Sequence, residues 1–144
     1  MENQDTINLL KECDAGAKMA ISSLDEVLEH VQDKKLLQLL SDSKKEHEQL
    51  CMEVHTILAN HGSSEQEPPA MAKGMSWLKT TVKLGMDGSD STISGLVIDG
   101  CNMGIKTLHK YLNEYTQADN TSKGLCKKLI SLEETLCDKL HAYL

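Results

Sequence analysis

From Ile7 onward the chain places Leu10, Asp14, Ala17, Ile21, Leu24, Leu28 and Val31 alternately three and four residues apart. Only an α-helix brings positions so spaced onto one stripe, and a stripe that narrow is buried against other helices. Three more seams follow: Leu36, Leu40, Ser43, His47, Leu50, Val54 and Ile57; then Ser94, Ile98, Cys101, Ile105, Leu108, Leu112 and Tyr115; then Leu125, Leu129, Leu132, Leu136 and Leu140. Phe is absent, Pro occurs only at 68 and 69, and no stretch alternates with a strand's period. The spacing predicts an all-α domain over 1–144, with helices at 5–31, 34–60, 90–116 and 121–143. Asp5 and Asp33 are candidate N-caps. The short turns "VQDKK" and "TQADNTSK" make antiparallel hairpins of 5–60 and 90–143, joined by a connection over 61–89.

The two halves look alike. "GAKMAISSLDEVL" (16–28) and "GCNMGIKTLHKYL" (100–112) align without a gap at Gly, Met, Ile, Leu and Leu. Their offset is 84 residues, Gly16 to Gly100, a whole number of heptads, so matched residues take equivalent seam places. The polar seam positions are the other clue: Asp14 on the first helix, His47 within "SKKEHEQLC" on the second, and Glu133 in "LEETL" on the fourth.

Two helical hairpins, a long connection, a repeat and a polar "SKKEH" together resemble the small bacterial ferritin-like bundles across nearly the whole chain. The resemblance implies an up-down-down-up four-helix bundle with an extra crossover helix. It also implies a two-metal site made of a Glu from each of helices 1 and 3 and a Glu-x-x-His from each of helices 2 and 4. Residue by residue, His47 matches the helix 2 histidine, but Lys44 stands at its glutamate. Glu133 matches the helix 4 glutamate, but Leu136 stands at its histidine. Asp14 and Asp99 stand for the two remaining carboxylates, each a methylene short. A lysine where carboxylates must neutralise two divalent ions argues against di-iron chemistry.

The same residues have two other readings. Counting outward from the first turn brings Asp14 within about one helical turn of His47 and Cys51, so an Asp14–His47 hydrogen bond satisfies both without a metal. Alternatively, the row His47, Cys51 and His55, each four apart, joins Asp14 to hold a single zinc or iron ion. Cys137 and His141 make a second such pair. The five cysteines carry no C-x-x-C spacing and read as reduced core thiols.

A formal charge of −7 disfavours nucleic acid as a partner, because phosphate binding is driven by Lys and Arg. The N-terminus has no basic region followed by an apolar core, and no run of about 18 apolar residues occurs, which fits a cytoplasmic protein. No phosphate loop or nucleophile elbow is present, so catalysis is not expected. The expectation is a non-catalytic bundle, a homo-oligomer such as a dimer, acting through protein contacts without a required cofactor; the alternative is a metal-binding protein using Asp14, His47 and Cys51. In the connection, Pro68 and Pro69 start a helix over 70–86 whose only charges are Lys73, Lys79 and Lys83. With Met75 and Trp77 this helix either covers the bundle or docks on an acidic partner or a membrane surface. In the docking case the native chain sediments with anionic vesicles at low salt, and changing all three lysines to Glu abolishes sedimentation. A native chain that stays in the supernatant rules out the membrane.

Overall fold

Four helices follow the four seams. The computed structural model describes residues 3–62 and 88–144. Among them lie α1 (Gln4–Leu28), α2 (Lys34–Asn60), α3 (Asp90–Glu114) and α4 (Asn120–Leu140), the last running into a 3-10 turn over His141–Tyr143. No strand occurs among the described residues, and no helix there is long and apolar enough to cross a membrane. The helix expected over 70–86, with Lys73, Met75, Trp77, Lys79 and Lys83, lies outside them.

Capping explains where the helices begin and end. Asn3, not Asp5, caps α1, its side-chain oxygen accepting from the backbone N–H of Asp5 at 3.1 Å and of Thr6 at 3.4 Å. Asp5 is thereby released to accept from the N–H of Gln117 at 3.0 Å. Asp33 caps α2 as expected, through the N–H of Leu36 at 2.9 Å, and Asp119 caps α4 through the N–H of Ser122 at 2.8 Å. α1 stops at Leu28 rather than at 31. The N–H groups of Gln32 and Asp33 are turned instead toward the Asp90 carboxylate, each at 2.9 Å.

These end contacts also set directions. The start of α1 is tied to the turn between α3 and α4, with Asp5 holding Gln117 and the Thr6 hydroxyl accepting from the N–H of Asp119 at 2.8 Å. The turn between α1 and α2 is tied to the start of α3 through Asp90. α1 and α3 therefore run in opposite directions, while α1 and α4 run the same way. The closest packing is α1 on α2 and α3 on α4, with α1 also against α3 and α4, and α2 against α4.

Burial confirms the seams. Ile7, Leu10, Asp14, Ala17 and Leu24 are buried on α1; Leu36, Leu40, Ser43, His47, Leu50 and Val54 on α2; Ser94, Ile98, Cys101 and Leu108 on α3; Leu129, Leu136 and Leu140 on α4. The apolar interior divides into two clusters. One holds Leu10, Leu50, Val54, Leu108 and Leu129, the other Leu24, Leu36, Leu40, Val97 and Leu136. His47 and Glu133, buried in mid-helix, stand between them.

Asp90 joins the hairpins by backbone bonds that Ala cannot make. Asp90→Ala is expected to lower the unfolding free energy by about 1–2 kcal/mol in urea titrations. Asp42→Ala, which removes only an exposed i, i+4 contact to Gln38, is expected to cost less than about 0.5 kcal/mol.

Candidate metal centre

The polar seam residues do not converge on one point. Asp14 meets neither His47 nor Glu133; it faces the next turn of α2. The Cys51 thiol donates to Asp14 Oδ1 at 3.4 Å, His55 Nε2 contacts the same oxygen, and Cys51 Sγ lies 3.8 Å from His55 Nε2. The expected Asp14–His47 bond is thus replaced by Asp14–Cys51 and Asp14–His55. The reason is register: α1 crosses α2 with Asp14 opposite residues 51 and 55, about one turn beyond His47. The other carboxylate oxygen, Oδ2, is held by Lys18 Nζ at 3.1 Å, one turn along α1.

These three donors, Asp14 Oδ1, Cys51 Sγ and His55 Nε2, lie within 4.8 Å of one another. Oxygen, nitrogen and sulfur ligands on one tetrahedral zinc ion sit about 3.3–3.6 Å apart, given metal–ligand distances of about 2.0–2.3 Å. Two of the three spacings, 3.4 and 3.8 Å, lie close to that range, while Asp14 Oδ1 and His55 Nε2 are in direct contact and have to move apart to admit an ion between them. Asp14 and Cys51 are buried, whereas the side chain of His55 is 30 % exposed. A cation here would displace the thiol proton and take the oxygen that the thiol and the imidazole now share.

His47 is occupied elsewhere. Its Nδ1 lies 2.7 Å from the Ser43 carbonyl, which can only accept, so Nδ1 carries a hydrogen. Its Nε2 lies 3.0 Å from Glu133 Oε1, and that contact needs one further proton between imidazole and carboxyl. Burial pushes the His47 pKa down, but the hydrogen bond and charge of Glu133, helped by the Ser43 carbonyl and Glu46, outweigh it, and the net shift is upward. One proton is therefore held between the His47 imidazole and the Glu133 carboxyl group inside the bundle. The Cys101 thiol borders the same carboxylate; burial first, then the charge and hydrogen bond of Glu133, drive its pKa far up and keep it protonated. A cleft of about 40 Å³ between α1 and α3 reaches this pair through Gly16, Ala20, Gly100 and Gly104. That volume has room for a few waters.

The remaining residues fall outside both groups. Asp99 is exposed on α3, because Ile98 and Cys101 take the inward places and residue 99 is turned about 100° away. Lys44 does not place its ammonium beside His47; it reaches across the surface to Asp25, at 2.7 Å. Cys137 lies 3.7 Å from the Asn102 side-chain oxygen, while His141 is exposed in the terminal 3-10 turn. Sequence reasoning weighed His55 but preferred His47, and it passed over Lys18. The signals were the i, i+4 pairs Asp14–Lys18 and Cys51–His55, read without the α1–α2 register that joins them. Glu12, buried and turned toward Tyr111, gave no seam signal at all; burial raises its pKa against the opposing Tyr111 hydrogen bond.

No family model, no curated protein and no solved structure matches this chain.

His47→Ala leaves Glu133 buried without its partner and is expected to cost about 3 kcal/mol. The pH dependence has a definite sign. A raised folded-state pKa means that the pair's contribution is complete below the unfolded value of about 6.5 and falls as pH rises through the folded value. The stability difference between the native chain and Glu133→Gln should therefore shrink as pH rises above about 6.5 in urea unfolding series. A difference that grows over that interval would contradict the shared proton.

Proposed function

We propose that this protein binds one divalent transition-metal ion, zinc or iron, through Asp14, Cys51 and His55. The observation that carries the reading is the convergence of a carboxylate, a thiol and an imidazole from two helices, with two of the three side chains buried. Mixed oxygen, nitrogen and sulfur donors suit zinc-like ions over magnesium or calcium, which take oxygen alone. Lys18 serves as the outer partner that aims the other oxygen of Asp14 toward Cys51 and His55. The ligand set is the one expected from sequence with His55 in place of His47.

The bundle is a ferritin-like one, in this proposal, whose two-metal site has been replaced. The opposed directions of α1 and α3 support that fold. So does a repeated burial pattern: Leu10, Asp14, Ala17 and Leu24 on α1 correspond at a constant offset to Ser94, Ile98, Cys101 and Leu108 on α3, all buried. On the second helices His47, Leu50, Cys51 and Val54 correspond to Glu133, Leu136, Cys137 and Leu140. On that pairing His47 and Glu133 are counterparts in contact with each other, which supports an internal two-fold relation between the hairpins. The central layer, where a di-metal site requires carboxylates, holds this hydrogen-bonded pair instead. Oxygen chemistry at a di-iron centre is not part of the function.

Protein stripped of metal and titrated with zinc should bind one ion per chain by elemental analysis. Asp14→Ala, Cys51→Ser and His55→Gln should each weaken binding by more than about tenfold, whereas His47→Gln should leave the stoichiometry unchanged. Two ions per chain, lost on His47→Gln, would instead establish the central layer as the metal site. Ferrous iron should produce no oxygen consumption.

A further inference from the structure

The cleft between α1 and α3 lies apart from Asp14, Cys51 and His55, and its floor differs in chemistry from its walls. We infer that it is a binding site for a small aliphatic alcohol, whose hydroxyl donates to the Glu133 carboxyl group while its alkyl chain lies between the two helices. The inference is independent of the metal-binding reading. Three observations carry it.

The first is shape. The walls are apolar, with buried Leu24, Val97, Leu108 and Leu136 among them. Half-buried small residues, Gly16 and Ala20 on α1 and Gly100 and Gly104 on α3, keep the two helices from closing over it. The volume of about 40 Å³ suits three or four non-hydrogen atoms, given roughly 10–15 Å³ for a water-sized group. That is the size of propanol.

The second is the floor. Both nitrogens of His47 are taken, by the Ser43 carbonyl and by Glu133 Oε1. The imidazole is fully buried, so the pair meets the cleft through Glu133, whose side chain is 9 % exposed. Glu133 Oε2 lies 4.0 Å from the point where a Cβ on residue 104 would stand; glycine there leaves that oxygen facing the cleft. The Cys101 thiol borders the same carboxylate and stays protonated, through burial and then through the charge and hydrogen bond of Glu133. A strong acceptor beside a weak donor suits a hydroxyl, which both donates and accepts.

The third is charge. With one proton between them, His47 and Glu133 carry no net charge. An ammonium or a carboxylate brought to this floor would hold its own charge among apolar walls without a counter-charge, whereas a hydroxyl brings none.

In the isotope-labelled full chain, free of added metal, the amide resonances of Gly100 and Gly104 should shift saturably on titration with propan-1-ol. The dissociation constant should be on the order of 1 mM, as suits so few atoms. Propylammonium and propionate, of similar size, should give no saturable shift. Gly104→Ala adds a methyl at ordinary contact distance, 3.9 Å from Glu133 Cδ, so the chain still folds. It should weaken propanol binding about tenfold, the order of one methyl of overpacking. Gly124→Ala, whose added methyl meets nothing within 4 Å, should leave binding unchanged. Shifts that rise linearly with propanol and never saturate overturn the site. Propylammonium or propionate binding as tightly as propanol overturns the selection of a hydroxyl. Propanol binding that survives Gly104→Ala intact overturns the assignment to this cleft.

Discussion

One proton between His47 and Glu133 sets the character of this bundle. The Ser43 carbonyl commits Nδ1 as a donor, so the contact between Nε2 and Oε1 must contain a further hydrogen. Without it a lone pair would face a carboxylate in the core. The pair lies between two apolar clusters, and it joins α2 to α4, helices from different hairpins. Apolar side chains would fill that layer at lower desolvation cost, yet they would accept many relative rotations of the two hairpins. A directional bond 3.0 Å long accepts few. It thereby helps to hold the register of α2 against α4.

That register has a consequence one turn along α2. Once His47 is committed to α4, the face of α2 toward α1 is left with Cys51 and His55, and Asp14 meets these. The central His47–Glu133 pair and the proposed metal centre are thus separate polar groups with separate work. The first lies in the core and joins the hairpins. The second lies within one hairpin, reaches solvent through His55 and Lys18, and has the donors for an ion. The same side chain cannot serve both, which is why the reassignment from His47 to His55 also changes the character of the site from a core one to a margin one.

The two hairpins carry this chemistry unequally. Cys51 and His55 on α2 have counterparts in Cys137 and His141 at the end of α4, but the place of Asp14 is taken on α3 by Ile98. A thiol and an imidazole without a carboxylate lack the charge to hold a divalent ion well. Cys137 accordingly neighbours Asn102, and the asymmetry confines the proposed centre to the first half.

Much of the architecture was legible in the residues. Seams spaced three and four apart identify helices because only that period lines up one face, and Asp33 marks a helix start because a short carboxylate satisfies free N–H groups locally. These are short-range rules, and short-range rules are readable from sequence. The cap of α1 was misplaced by two residues because Asp5 was needed by Gln117, more than a hundred positions away. Asp99 and Asp14 look alike as acids near a seam, but a rotation of one residue about α3 puts Asp99 in water. The partners of Asp14 and His47 depended on how far α1 is displaced along α2, a distance of one helical turn. Periodicity leaves that displacement open, because a seam repeats every heptad and matches itself after each shift; the close packing of α1 on α2, with Asp14 set against Cys51 and His55, decided it.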